Sequence, residues 1–399
     1  MRYCIKGGEI IDPAGGFTGI GDLLIEGEKV IAIERELTVE DAQIIQAKGK
    51  IVCPGLIDLH VHLREPGRED EETVASGTKA AVKGGFTAVA CMANTDPVAD
   101  NAVVITYLLG QAQLSGYAKV YPIGAVTKGL KGVELAEMAE LAEAGAVAFS
   151  DDGKTITNAA VFRSALEYST LFDLPLFLHE EDPNLAGDGV MHEGYWSTVF
   201  GLPGIPGLAE DVMIARDLLL AKASGGKIHF CHVSTKGSVD LIREAKRQGL
   251  QFSAEATPHH FSLTDETIGS YNSLYRVSPP LRSAADQLAL KEGLQDGAID
   301  VIATDHAPHT IEEKHREFSL APTGMIGLET ALGVAWTELV ETGFLTKVQL
   351  IERMSARPAQ IINRPGGRLK PGDPADLLIF DPHQEWEVRA ADLVSKSKN

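Results

Sequence analysis

Cysteine is scarce. The four residues, Cys4, Cys53, Cys91 and Cys231, are scattered with no C-x-x-C spacing, which argues against a disulfide framework. Long apolar runs are missing too: nothing approaches the ~20 residues needed to span a bilayer. The opening Met1-Arg2-Tyr3-Cys4-Ile5-Lys6-Gly7 has no apolar stretch of the kind that begins a secretory signal. These absences lead us to expect a cytoplasmic protein. Positive charge is in deficit, with 36 Lys and Arg against 56 Asp and Glu, a formal charge of -20. That balance argues against a nucleic-acid groove or an anionic membrane as the main partner. It leaves an anionic substrate open, because bound divalent cations would dominate their local field. Two nucleotide-type glycine patterns fail. Asp152-Gly153-Lys154-Thr155 has Ala148 where a phosphate loop needs its first glycine, and Gly16 to Gly21 lacks the G-x-G-x-x-G order. No G-x-S-x-G elbow occurs.

What is present is a globular composition, 44% hydrophobic and 23% charged over 399 residues, enough for one large domain or two ordinary ones. Residues 1 to about 53 hold short β-branched runs punctuated by glycine, such as Asp22-Leu23-Leu24-Ile25 and Lys29-Val30-Ile31-Ala32-Ile33. The same texture returns at Ala375-Asp376-Leu377-Leu378-Ile379-Phe380 and Trp386-Glu387-Val388. We expect one small β-sandwich domain built from residues 1–53 and 364–399, flanking a domain over residues 54–363.

In that central region apolar runs alternate with amphipathic helices, expected to begin near Glu71, Asn101, Val133, Asn158, Leu208, Lys236 and Ala284. Eight runs finish at His60-Val61-His62, Asn94, Thr127, Asp151-Asp152, His179, His232, Glu255 and Asp305. Parallel strands with polar residues at their C-terminal ends describe an α/β fold, a (β/α)8 TIM-like barrel. The Gly- and Pro-rich stretch from Pro183 to Gly207 reads as a surface excursion near the mouth.

The strand ends carry the chemistry. His60 and His62 stand at i and i+2, so on a strand both point to one face. His179, His232 and Asp305 each follow a buried-strand pattern, and an unpaired carboxylate there would be costly to bury. Imidazoles with carboxylates suit borderline metal ions, zinc first. His259 and His260 are expected to shape the mouth or orient ligands, and His192, His315 and His383 to lie on the surface. Cys231, next to His232 on an alternating strand, is expected to point away from the centre.

Pro54-Gly55-Leu56-Ile57-Asp58 with His60-Val61-His62-Leu63-Arg64-Glu65-Pro66-Gly67 resembles the signature of the amidohydrolase superfamily. Met92-Ala93-Asn94-Thr95, Phe149-Ser150-Asp151-Asp152-Gly153, Ala303-Thr304-Asp305-His306-Ala307-Pro308-His309 and Gly327-Leu328-Glu329-Thr330 make the chain similar to the dihydroorotases of the bacterial long-chain type over nearly its whole length. The resemblance implies two divalent metal ions, most readily Zn2+. His60, His62 and Asp305 would hold the first, and His179 and His232 the second. The spacing to His179 favours Asp152 as the bridge, with Asp151 and Lys154 as alternatives. It further implies interconversion of N-carbamoyl-L-aspartate and L-dihydroorotate in pyrimidine biosynthesis, by metal-activated water with Asp305 as catalytic acid and base.

Substrate contacts implied by the same resemblance are Arg64, as a fork for the carboxylate, with Asn94, Ser278, His309, Thr323 and Gly324. The chain departs from the family pattern in two places. Ser278-Pro279-Pro280-Leu281-Arg282 has serine where relatives carry a substrate-binding asparagine, and Ala321-Pro322-Thr323-Gly324 differs in the stretch that closes on substrate. Relatives also continue past Ser395-Lys396-Ser397-Lys398-Asn399, so the small domain is expected to lack its last strands. Expected partners are a small-molecule substrate, a second copy as a homodimer and, in some relatives, aspartate transcarbamoylase. The competing readings are a hydantoinase- or allantoinase-like cyclic amidase, and an inactive scaffold chain for that same transcarbamoylase.

Overall fold

The computed structural model describes residues 1–399. Glycine turns divide the first stretch into β1 (Arg2–Asp12), β2 (Phe17–Glu26), β3 (Lys29–Glu34), β4 (Gln43–Gln46) and β5 (Ile51–Pro54). The two-residue turn between β2 and β3 requires positive φ at its first position, which Gly27 supplies at +62°. β1 pairs with β2 along one edge and with β4 and β5 along the other, its register breaking between Ile5 and Gly8.

The barrel strands follow: β6 (Leu56–Val61), β7 (Phe86–Cys91), β8 (Lys119–Gly124), β9 (Ala148–Ser150) and β10 (Leu176–Leu178). After a short pair, β11 (Met191–His192) and β12 (Gly204–Ile205), come β13 (Ile228–Phe230), β14 (Ser253–Ala256) and β15 (Val301–Ile302). β6 to β10 and β13 to β15 form one eight-stranded sheet with parallel neighbours. At the mouth its ends meet: Val61 bridges His306, and the His62 N–H donates to the His306 carbonyl at 2.9 Å. The expected (β/α)8 barrel with an accessory β-domain is therefore present. Finally β16 (Leu377–Phe380) returns antiparallel to β5, so both ends of the chain meet in one six-stranded sheet.

Strands buried on both faces create two apolar layers. Ile57, Leu59, Ala88, Ala90, Ile123, Phe177, Val301 and Ala303 fill the barrel. Val61, Phe86, Phe149, Leu176 and Phe230 face the surrounding helices.

Four local expectations are corrected. The helix expected near Glu71 begins at Val74, because Thr73 and Ser76 form a reciprocal cap. The one expected near Val133 begins at Met138, since Leu135 is held extended by a bridge to Thr127. No strand forms after β16; Trp386 and Val388 are exposed, and residues 393–399 run back to the barrel. The Pro183–Gly207 stretch is more than a surface loop: Val190 and Met191 build an apolar cluster with Ile268 and Phe318 beside the mouth.

Phe177 is 1% exposed inside the barrel. Phe177→Ala should cost about 3–5 kcal/mol, read by denaturant unfolding of the metal-loaded protein. A loss below about 1 kcal/mol would show that this layer relaxes around the cavity.

Candidate metal centre and active site

Backbone irregularities aim the site. The register of β6 against β7 shifts between Asp58 and Val61. Ile57 and Leu59 therefore fill the barrel while His60 and His62 still face its mouth. Asp58 Oδ1 locks this arrangement by accepting the N–H groups of His60 (3.0 Å) and Thr304 (3.1 Å), which ties β6 to the chain leaving β15. His232 (φ +33°), Asp305 (φ +47°) and Arg64 (φ +63°) lie in left-handed backbone that non-glycine residues seldom adopt. All three lie two or three residues past a strand end, where such a turn redirects a side chain over the opening.

Six donor residues converge. His62 Nε2 lies 3.0 Å and His60 Nε2 3.4 Å from Asp305 Oδ1. Asp152 Oδ1 lies 3.4 Å from both His60 Nε2 and His232 Nε2 and 3.8 Å from His179 Nδ1, and its Oδ2 lies 3.5 Å from His62 Nε2. His179 Nδ1 and His232 Nε2 are 2.9 Å apart. Ligands bound at 2.0–2.1 Å in a tetrahedron are separated by roughly 3.3–3.4 Å, close to most of these spacings. His60 Nε2 and Asp152 Oδ1 are buried and have no hydrogen-bond partner. The donor set thus fits two divalent cations, with Asp152 between the two halves.

The electrostatics agree. Burial alone would raise the Asp152 and Asp305 carboxyls, yet the surrounding imidazoles, His60 foremost, hold both far below the carboxylate range. Burial would lower His60, but Asp152, Asp305 and Glu255 raise it well above the ordinary value. His179, dominated by burial and by His232, falls to about 4.

The alternative bridges do not converge. Asp151 Oδ1 is taken by the N–H groups of Val126 (2.9 Å) and Thr127 (3.0 Å), and its Oδ2 by the Thr127 hydroxyl. Lys154 is exposed.

The braces behind the ligands were not assigned from sequence. Glu255 Oε1 takes His60 Nδ1 at 2.7 Å and the His232 N–H at 3.1 Å, while Oε2 takes His229 Nε2 at 2.9 Å. Burial would raise Glu255, but the His60 charge and the bonds from His229 and His60 hold it at about 2. Such a carboxylate fixes the tautomer that leaves His60 Nε2 free for metal. Asn94 does the same for His62, its Oδ1 lying 2.9 Å from Nδ1. Glu255 stood at a recognised strand end; nothing in one sequence indicated which histidine it would meet.

Two further expectations need correction. Cys231 does not point away from the centre: it is buried in the barrel and grouped with His60 and Glu255. Alternation fails there because β13 ends at Phe230 and His232 turns on its positive φ, so successive side chains both reach inward. His192 is half-buried rather than on the surface, with Arg282 Nη1 3.3 Å from its Nδ1. His259 and His260 are buried beside the site, as expected of residues shaping its wall.

Four of the expected substrate contacts, Arg64, His309, Thr323 and Gly324, gather on one side. Arg64 is buried, its Nε donating to the Pro308 carbonyl (3.0 Å) and pairing with Glu71 Oε2 (3.1 Å). His309 lies between Glu71 (Nδ1–Oε1 3.1 Å) and the Thr323 carbonyl (Nε2–O 2.9 Å). Burial and the Arg64 charge lower it to about 3. Gly324 has φ +138° and is packed so closely that a Cβ would sit 2.7 Å from that of Ala307. Ser278 is half-buried next to Pro279, whose carbonyl lies 2.9 Å from His260 Nε2.

A dihydro-orotase-like family model matches residues 49–238. The chain is 53% identical over 399 residues to a dihydroorotase of Pelotomaculum thermopropionicum, covering 100% of this chain and 93% of that protein. It is 50% identical over 395 residues to the dihydroorotase of Acetivibrio thermocellus, covering 99% and 93%. The chain belongs to the dihydroorotase family. Among solved structures it superposes on the L-hydantoinase (dihydropyrimidinase) of Arthrobacter aurescens with a TM-score of 0.89 at 26% identity, covering 100% of this chain and 91% of that one. The dihydropyrimidinase of Brevibacillus agri gives 0.84 at 22% identity, covering 99% and 89%, a likeness of fold. With its paired His/Asp clusters the chain is a cyclic amidohydrolase of dihydroorotase type carrying a binuclear metal-binding site.

Replacing Asp152 and Lys154 separates the bridges. Asp152→Asn should lower bound metal from two ions per chain to one or fewer by elemental analysis, while Lys154→Ala keeps two. The reverse pattern would move the bridge to the lysine. Glu255→Gln should weaken metal binding by about 10–100-fold in chelator competition. In metal-free protein the depressed pKa of Glu255 stabilises the fold above pH 4.5, its ordinary value, and that contribution fades as pH falls toward about 2. The stability gap between the parent and Glu255→Gln should therefore be roughly 3 kcal/mol near neutrality and close over that window in urea unfolding. A gap independent of pH would refute the assignment.

Proposed function

We propose that the protein interconverts L-dihydroorotate and N-carbamoyl-L-aspartate, with His60, His62, Asp152, His179, His232 and Asp305 holding two zinc ions. The observation that carries this reading is the position of Asp305. Its carboxylate is kept ionised by imidazoles and lies at the edge of the donor cluster, 3.0 Å from His62 Nε2. When bound, the two ions would supply Lewis acidity toward the ring carbonyl and lower the pKa of attacking water. Asp305 accepts the proton of that water and returns it to the departing ring nitrogen; in the closing direction the same carboxylate takes the proton from the carbamoyl nitrogen. Glu255 and Asn94 keep His60 and His62 in the ligating tautomer throughout. Arg64, held in place by Glu71 and Pro308, receives the substrate carboxylate, with Asn94, Ser278, His309, Thr323 and Gly324 lining the remaining contacts.

The domain division belongs to the same proposal: a catalytic barrel over residues 54–363, and an accessory unit from residues 1–53 and 364–399, the last residues of which lie back against the barrel. So does a cytoplasmic homodimer able to meet aspartate transcarbamoylase. The dimer is supported by the helix Ala102–Ser115, which has no charged residue in a chain of charge -20 and exposes Val103, Tyr107 and Leu114. The cytoplasmic location is supported by the lack of any helix long and apolar enough to cross a membrane.

The test is hydrolysis by zinc-reconstituted protein of L-dihydroorotate, hydantoin and allantoin in parallel. Dihydroorotate should be the preferred ring, and Asp305→Asn should reduce its turnover by at least about 10²–10⁴-fold. Turnover of the uncharged rings alone would place the chain with the hydantoinases. A fully active Asp305→Asn would remove the assigned acid and base.

A further inference from the structure

The chain beyond β16 makes a set of contacts that the reaction as described does not use. Residues 393–399 run along the barrel toward its mouth. The N–H groups of Val394 and Ser395 donate to Glu329 at 2.7 and 2.9 Å. Glu72 accepts the Ser395 hydroxyl and, at 3.1 Å, the Lys396 N–H. The Ser397 hydroxyl donates to the Glu71 carbonyl at 2.7 Å.

The run ends in Asn399, whose amide is fully committed. Oδ1 accepts the His309 N–H at 3.0 Å, while Nδ2 donates to the carbonyls of Ala307 (2.9 Å) and Gly324 (3.0 Å). Its main-chain carbonyl accepts the Ile326 N–H at 2.9 Å. This one residue therefore joins two active-site segments, its side chain meeting 307–309 after β15 and Gly324, and its main chain meeting Ile326. The two segments also meet directly, the Ala307 N–H donating to the Met325 carbonyl at 2.9 Å, and the buried Lys314 ammonium holds the second of them by the carbonyls of Gly324 (2.9 Å) and Pro322 (3.0 Å).

We propose that Asn399 is a positioning residue for substrate binding, its amide setting the distance between His309 and Gly324 before the ring arrives. The inference rests on the reading of those two residues as substrate contacts. One acceptor and two donors within a single short side chain is the property of a primary amide. Aspartate has the same shape but cannot donate, and it would set its charge against two carbonyl oxygens. Segments already fixed at the right spacing bind ligand without first being ordered. Asn399 hydrogen-bonds none of the six metal-donor residues, so its loss falls on binding and spares the chemical step.

Asn399→Asp and Asn399→Ala, loaded with zinc and assayed with L-dihydroorotate, should raise KM by about tenfold with kcat within about threefold of the parent and two metal ions retained. By amide hydrogen exchange, peptides spanning residues 305–328 should exchange faster in both variants, while peptides spanning β6 do not change. A KM within about twofold of the parent, or unaltered exchange over 305–328, overturns the proposal. A larger fall in kcat than rise in KM also overturns it. If the parent itself fails to open dihydroorotate, the reading of the reaction fails, and the exchange measurement alone then decides whether the clamp exists.

Discussion

Asp152 sits where three imidazoles, His60, His179 and His232, approach one carboxylate oxygen, with a second carboxylate, Asp305, against His60 and His62. Two buried carboxylates and four histidines in one water-poor pocket would be an expensive arrangement for a bare protein, because ionised groups lose hydration that neighbouring dipoles replace only in part. Cations remove the cost, and the surrounding structure follows from that. His60 and His62 must present Nε2, so their Nδ1 atoms are taken by Glu255 and Asn94. His232 and Asp305 must turn sideways off their strands, so their backbones are left-handed. The barrel interior must be rigid enough to hold six donors at fixed spacing, so the layer beneath them is packed from Leu59, Met92, Phe177 and Ala303.

How much of this was legible in sequence depended on whether the information was local. Strand parity placed His60 and His62 on one face, and apolar runs ending in His or Asp picked out the other donor side chains that converge there. Both signals are written within a few residues. The preference for Asp152 over Asp151 came with the resemblance; in the structure Asp151 is occupied by the Val126–Thr127 backbone. Cys231 was misplaced because alternation was extended one residue past the end of β13, where a positive φ ends the rule. Glu255, Lys314 and the tail share a different difficulty. Their partners are 195 residues away for Glu255 and His60, and 90 for Asn399 and His309, and no periodicity in one chain encodes such pairings. A lone lysine between a helix and a loop reads as a solvated charge, yet Lys314 is buried among carbonyls.

The substrate side also shows how an acidic chain can receive an anion. Arg64 is neutralised by Glu71, so the pocket offers little net positive charge from the protein itself. Attraction must come from the cations, and selectivity from the direction of hydrogen bonds. Arg64 Nε is committed to Pro308 and Glu71, and Nη2 faces His309 at 3.4 Å. That leaves Nη1 as the nitrogen without a protein partner, aimed by a guanidinium that cannot rotate. A guanidinium fixed on three sides discriminates by angle: an anion approaching along Nη1 gains a charge-assisted hydrogen bond that an uncharged ring forgoes.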